Sequence, residues 1–464
     1  MGHGAPRLLQ DETGERQADD DQIDLTALID SRPMSAFQTR LMVLIGVVVL
    51  MDGFNLQAMG FVAPALASAW RIPAAVLGQI FGAALIGMLA GSILLGSLAD
   101  RVGRRPILLA STALFGAAML LTAATQTVFQ LVVLRFVTGF GVGGVMGNAV
   151  ALASEFSPRR LRASLLMWIS CGFTGGAILA GVLSALLAPW AGWRAVFLAG
   201  GALTLLIAAA MVRLLPESLQ FLLLRSQDDE KPRRWLKRMA PDGVIGAASG
   251  FVRPMAGSPP AGIAELFARE KWRITLLLWV INFANLLDLF FLSNWLPLLA
   301  ARVGYAHPIA VLIGAVLQAG GVIGAIAMGP LIDRVGFFRV LLPIFVVAAP
   351  AVAAIGLADT SAPFLVAVVL ASGVCIVGAQ PGVNVLAASL YPTEARATGV
   401  GWCLGVGRAG SIVGPFLAAW FIKLRFSNTE LFAAAALPTL VAALATLVLW
   451  RVVEAQAPAT PAIR

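Results

Sequence analysis

Twelve apolar stretches, each long enough to cross a bilayer as a helix, divide this chain and confine most of its charge to the segments between them. A helix rises 1.5 Å per residue, so about 20 residues span a hydrocarbon core of about 30 Å. The stretches fall at 41–66, 76–98, 106–126, 129–152, 163–187 and 193–214, and then at 274–300, 308–331, 340–358, 362–388, 400–422 and 430–452. Inside lipid no water is available to the backbone, and continuous apolar runs of this length satisfy their own amides only as helices. The composition agrees: 59% of residues are hydrophobic and 12% are charged, whereas a soluble domain carries about 25% charged residues. An ordinary soluble enzyme, a disordered chain and a coiled coil are excluded. The predicted fold is an all-α integral membrane protein of twelve transmembrane helices in two six-helix bundles.

Orientation follows from the placement of Lys and Arg. With both termini in the cytoplasm, 26 of the 33 basic residues lie in cytoplasmic segments. The opposite face holds Arg71, Arg194, Arg302, Lys423 and Arg425, and Arg135 and Arg408 sit inside spans. The net charge of +9 thus reflects topology, and no nucleic-acid partner is expected. The organisation reads as a cytoplasmic N-terminal tail (1–39), a first bundle (40–214), a basic cytoplasmic loop (215–272), a second bundle (273–452) and a cytoplasmic C-terminal tail (453–464). Residues 1–31 are polar and acidic and lack the apolar core of a signal peptide, so a disordered tail is expected.

The two bundles carry an internal repeat. Asp100 and Asp333 lie 233 residues apart, as do Pro64 and Pro297; Pro158 and Pro392, like Arg162 and Arg396, lie 234 apart. Six spans repeated with the same topology imply a pseudo-two-fold axis along the membrane normal. A site near the midplane between two rocking halves is the arrangement that such repeats serve.

The segment Gly96-Ser-Leu-Ala-Asp100-Arg101-Val-Gly103-Arg104-Arg105, echoed at Gly329 to Arg339 through Asp333 and Arg334, resembles the loop motif of the major facilitator superfamily. Three further stretches resemble its aromatic acid:proton symporter family: Met51-Asp52-Gly53-Phe54-Asn55 running on to Pro64, Ser293-Asn294-Trp295-Leu-Pro297, and Tyr391 to Arg396 continuing through Trp402 to Gly407-Arg408. The resemblance implies a bacterial inner-membrane carrier, not an enzyme. It would import an anion of the benzoate, hydroxybenzoate or protocatechuate class with protons by alternating access, as a monomer and without a cofactor. It also implies that Gly96, Asp100, Arg101, Gly103, Arg104 and Arg105 form a charge latch, with Glu155 as partner and Asp333 and Arg334 as its counterpart. Such a latch would steady the outward-facing state against a neighbouring helix end. One departure stands out. The family's first span reads Asp-Gly-x-Asp, and here it reads Asp52-Gly-Phe-Asn55; an amide cannot titrate.

Charges at the bilayer centre cost about 3 kcal/mol each on insertion scales, so they should face a cavity and pair. The candidates are Asp52, Arg135, Asp288 and Arg408. Asn55 plus the repeat offset gives Asp288, so Asp288 is expected to share or take over proton binding with Asp52; pairing with a nearby cation is the alternative. A guanidinium fork matches a carboxylate, which makes Arg408 and Arg135 candidate substrate contacts, although Arg135 could equally be structural. Asn55, Gln57, Asn294, Gln380 and Asn384 are candidate polar contacts, the last two sharing one helix face, with interhelical hydrogen bonding as the alternative. Trp295 and Trp402 could stack on a ring. Cys171, Cys375 and Cys403 fall in apolar runs and read as buried thiols. The two histidines, His3 and His307, lie outside the spans, which excludes an intramembrane histidine relay. An efflux antiporter of the same fold is the competing reading. The Gly-Pro pair typical of span 5 in such carriers is missing from Cys171 to Gly181.

Overall fold

A computed structural model describes residues 22–23, 25–225, 233, 235, 239, 250–251, 263–268, 271–357, 361–391 and 393–456. Most of the N-terminal tail, most of the central loop and residues 457–464 lie outside the described residues, as do the side chains of 393–397. The expectation of a disordered tail falls there for residues 1–21, whereas Leu25–Asp30 of the same segment form a short helix.

Twelve helices are long and apolar enough to cross a membrane. They are α1 (Ala36–Trp70), α2 (Ala74–Val102), α3 (Arg104–Ala123), α4 (Val128–Glu155), α5 (Arg159–Ala191) and α6 (Trp193–Leu214), then α7 (Lys271–Arg302), α8 (His307–Val335), α9 (Phe337–Ile355), α10 (Ala362–Leu390), α11 (Thr393–Lys423) and α12 (Asn428–Gln456). An even number of crossings puts both ends of the chain on one side, called here the tail side; the other is the far side. Several helices, α1, α2, α5, α7 and α12 among them, overrun their apolar stretch at both ends, because a helix ends where its cap is rather than where lipid ends, whereas α6 matches its stretch and α3 and α9 end three residues short of theirs. Ser35, for example, starts α1 five residues before the first apolar position, through a capping box with Gln38.

The duplication seen in the sequence is visible in the backbone. α2 turns into α3 at Gly103 (φ +108°) and α8 turns into α9 at Gly336 (φ +90°), two positions 233 residues apart. Only glycine takes this left-handed region without strain. Within the first bundle the spans pack backbone to backbone through small residues. A Cβ on Gly139 of α4 would lie 1.9 Å from the Ala84 carbonyl oxygen of α2, and one on Gly53 of α1 would lie 1.9 Å from the Phe173 carbonyl oxygen of α5.

Two spans depart from regular helix in ways that periodicity does not reveal. α4 is two helices, Val128–Gly143 and Met146–Glu155, joined by a turn. α10 carries one turn of π-helix, Gly373–Val377, in which the Gly378 amide donates to the Gly373 carbonyl at 3.0 Å. Such a bulge often marks a functional site. Here the Ile376 carbonyl accepts from the side chain of Asn285 in α7.

The bundles meet most tightly toward the far side. A Cβ on Gly60 of α1 would meet the Ser293 carbonyl oxygen of α7 at 2.8 Å, and one on Gly78 of α2 would meet Ala419 of α11 at 2.6 Å. Gly181 of α5 faces Ala315 of α8, and Phe81 of α2 packs edge-on to Trp295 of α7 with centroids 5.5 Å apart. All these contacts lie in the far half of their helices. Gly96, Gly329, Gly401 and Gly405, toward the tail side, have nothing within 4 Å of where a Cβ would stand.

Candidate functional site

The unsatisfied polar atoms of the protein point to the site. Buried donors and acceptors are nearly always paired, so each exception asks for an explanation. Among the described residues α1 and α7 hold most of the intramembrane exceptions: Asp52 Oδ1, Asn55 Nδ2 and both amide atoms of Gln57 on α1, and Asn285 Oδ1, both oxygens of Asp288 and Trp295 Nε1 on α7. These two helices are repeat mates and touch across the pseudo-two-fold, as Gly60 against Ser293 shows.

Arg135 of α4 reaches α1. Its Nη1 donates to Asn55 Oδ1 at 3.2 Å and its Nη2 to the Asn55 carbonyl oxygen at 3.3 Å, while its Nε is unpartnered. The side chain is 1% exposed, and among the described residues no acid forms an ion pair with it. An amide solvates a guanidinium but does not neutralise it. A full positive charge therefore stands at the wall of a crevice between the bundles, lined also by Leu56, Met59, Phe81, Phe290 and Asn294. The crevice is too narrow to hold even a water molecule, so a ring enters only if the bundles move.

Arg408 of α11 sits at mid-depth, where its Nη1 donates to the Met88 carbonyl oxygen of α2 at 3.4 Å. It is the one hydrogen bond between the bundles among the described residues. Electrostatic attraction links Arg408 to Asp52 across the same interface, though the two make no direct ion pair. Asp288 differs: it is fully buried, neither oxygen finds a hydrogen-bond partner, and no cation pairs with it among the described residues. The pseudo-symmetry exchanges the two chemistries. Asp52 maps onto Asn285 and Asn55 onto Asp288, so each helix carries one acid and one amide in opposite order.

The remaining sequence candidates separate. Asn294 lines the crevice beside Arg135, with its amide held by its own helix at Phe290 (2.9 Å). Trp295 is fully buried at the closed far-side contact. Gln57 is 1% exposed with its amide unengaged. Gln380 is committed: its Nε2 donates to Asn282 Oδ1 (2.8 Å) and Asn384 Oδ1 (3.0 Å), and its Oε1 accepts from Asn285 (2.7 Å). Trp402 is not brought to the centre. It stacks on Trp279 with centroids 6.0 Å apart and is 46% exposed.

At the tail-side edge Arg104 pairs with Glu155, and Ser218 donates to the same carboxylate at 2.8 Å. Glu217, just past the sixth span and not among the sequence candidates, accepts from the amides of Arg104 (2.9 Å), Arg105 (3.1 Å) and Ser218 (2.9 Å). A carboxylate there satisfies orphan N–H groups at the start of α3 and meets the positive end of its dipole. The signal was available: a Pro-Glu-Ser just past the sixth span, facing a helix that starts at a glycine. Arg105 also donates to the Val212 carbonyl at 2.6 Å. The side chains of Asp100, Arg101, Asp333 and Arg334 make no hydrogen bond or ion pair with another described residue, and a Cβ on Gly96 would have nothing within 4 Å.

Comparison with known proteins accounts for this architecture. The family model for the Major Facilitator Superfamily matches residues 45–372 and 278–464. The 4-hydroxybenzoate transporter PcaK of Pseudomonas aeruginosa is 38% identical over 92% of this chain and 96% of its own length. A gallate transporter of Pseudomonas putida is 36% identical over 96% and 98%. Among solved structures, a bacterial homolog of the human lysosomal transporter Spinster, in an inward-facing and occupied conformation, superposes with a TM-score of 0.73 over 93% of this chain and all of that one, at 16% identity. The chain belongs to the major facilitator superfamily, in the branch that contains these aromatic-acid carriers. It is a twelve-span integral membrane transporter and not an enzyme.

Proposed function

We propose that this protein imports an aromatic carboxylate of the hydroxybenzoate, benzoate or protocatechuate class into a bacterial cell with protons, by alternating access across the inner membrane. One observation carries the reading: the buried charge of Arg135 faces the bundle interface with only an amide for a partner. An uncompensated buried cation costs several kcal/mol. A substrate carboxylate offsets that cost with a charge-assisted, fork-shaped hydrogen bond. The names of the relatives, a 4-hydroxybenzoate and a gallate transporter, support a ring acid as the anion.

Asp288 is the proposed proton carrier, with Asp52 in support. A carboxyl with no cation and no hydrogen-bond donor against it binds and releases its proton according to whether water reaches it, which is what alternating access controls. Asp52 instead shares Arg408 with the incoming anion and so links substrate arrival to the bundle interface, while Asp288 carries the transported proton. Both termini are assigned to the cytoplasm, which makes the tight far-side contacts the outer gate and the state described here inward-facing. Asp100 and Arg101 of the latch are then disengaged, while its Arg104 and Glu155 stay paired within the first bundle.

The test is binding to purified protein. Labelled 4-hydroxybenzoate, with benzoate and protocatechuate as competitors and succinate as an aliphatic control, should bind the wild type, and Arg135→Gln should abolish binding. Equal binding by Arg135→Gln would remove the observation on which the reading stands.

A further inference from the structure

We infer that Asn285 is a specificity residue whose side-chain oxygen reads a hydrogen-bond donor, a ring hydroxyl, on the substrate. The inference rests on the proposed transport of a ring acid and says which ring acids are favoured.

Four carboxamides around the π-bulge of α10 form one connected network, and its polarity is fixed at both ends by backbone carbonyls. Asn282 Nδ2 donates to the Cys403 carbonyl at 2.7 Å, which turns Asn282 Oδ1 toward Gln380. An acceptor there requires the Gln380 amide nitrogen, so Gln380 Oε1 must face the other way, toward Asn285. Asn285 Nδ2 in turn donates to Gln380 Oε1 and to the Ile376 carbonyl of the bulge at 3.2 Å. A carbonyl only accepts, so neither Asn282 nor Asn285 can be flipped, and Gln380 is held between them.

This chain of donors and acceptors leaves one buried atom over. Asn285 is 1% exposed, and its Oδ1 has no partner among the described residues. What is missing is a donor. A carboxylate, a ring face or an ether oxygen cannot supply it; a phenolic O–H can. Gln380 and Asn384, which share a helix face and are candidate polar contacts by sequence, are already bonded to each other at 3.0 Å. Their place in the structure is to hold Asn285 still. Asn285 is also the repeat mate of Asp52, the α1 residue that looks across the interface to Arg408. A ring lying across the pseudo-two-fold, with its carboxylate on the arginine side, presents its hydroxyl edge to α7. A site built to bond a hydroxyl rejects analogues that lack it, because its own polar atom is then left unpaired.

The experiment is competition for labelled 4-hydroxybenzoate uptake by whole protein in proteoliposomes. The competitors are 3- and 4-hydroxybenzoate, 4-aminobenzoate, benzoate and 4-methoxybenzoate. The hydroxy acid of the fitting position, and the amino acid analogue if that position is para, should compete about tenfold or more better than benzoate and 4-methoxybenzoate. In Asn285→Ala the ratio of hydroxy to methoxy acid should fall to near parity. A wild-type protein that takes methoxy and hydroxy rings alike overturns the inference without any variant, so a misfolded Asn285→Ala does not shield it. An unchanged ratio in a folded Asn285→Ala overturns it as well. Uptake of ring acids without hydroxyl preference refutes this inference alone; uptake of no ring acid refutes the transport reading beneath it.

Discussion

Replacing Asp288 with Asn removes the proposed proton-carrying group and almost nothing else. Neither oxygen of Asp288 makes a hydrogen bond to a described residue, and no cation pairs with it. The change is isosteric and breaks no contact, so its effect on stability should stay within about 1 kcal/mol. Its effect on coupling should be complete. With one proton per monoanion, transport is electroneutral, and a gradient of one pH unit supplies about 1.4 kcal/mol, or about tenfold accumulation of substrate. If Asp52 took a second proton, each 100 mV would add about 2.3 kcal/mol. Asp288→Asn in proteoliposomes should therefore fall from about tenfold accumulation to simple equilibration. Exchange of labelled for unlabelled substrate, which moves no net proton, should persist and show that the site is intact. Accumulation by Asp288→Asn equal to wild type would refute the reasoning and return the proton to Asp52.

Three further outcomes follow from the geometry. Arg408→Lys keeps the charge but loses the planar fork, so substrate affinity should fall about tenfold, measured by equilibrium binding; an unchanged affinity would assign Arg408 to the bundle contact alone. Gly181→Cys with Ala315→Cys places two thiols at the closed far-side contact, and oxidation should block uptake reversibly; full uptake by the cross-linked protein would contradict far-side opening as a step in transport. Glu217→Ala removes the acceptor for two backbone amides at the start of α3 and for that of Ser218 and should cost about 1 kcal/mol, seen as a lower melting temperature in detergent; no shift would mean that water replaces it.

The sequence made some of this legible and hid the rest for physical reasons. Apolar length alone located all twelve spans, because lipid enforces it without reference to neighbours. The repeat offset placed Gly336 opposite Gly103 and Asp288 opposite Asn55, since duplicated units keep their register. The pairing of Arg104 with Glu155 could be anticipated from the loop motif's resemblance to the family's charge latch. Partnerships within the membrane could not. Helix periodicity says which residues share a face, as for Gln380 and Asn384, but not that Asn282 and Asn285, almost 100 positions earlier, occupy Gln380 completely. The π-turn at Gly373–Val377 leaves no compositional mark beyond one glycine. Trp402 looked like a ring platform by residue type, and only the approach of Trp279 shows that it is already stacked.

The central claim is that a proton gradient drives a ring acid through the Arg135 crevice. Uptake of labelled 4-hydroxybenzoate into proteoliposomes, with and without an imposed inward proton gradient, tests it most directly. The account predicts accumulation above the external concentration that a protonophore abolishes. Equal internal and external levels under the gradient, or no uptake of any ring acid, would contradict it.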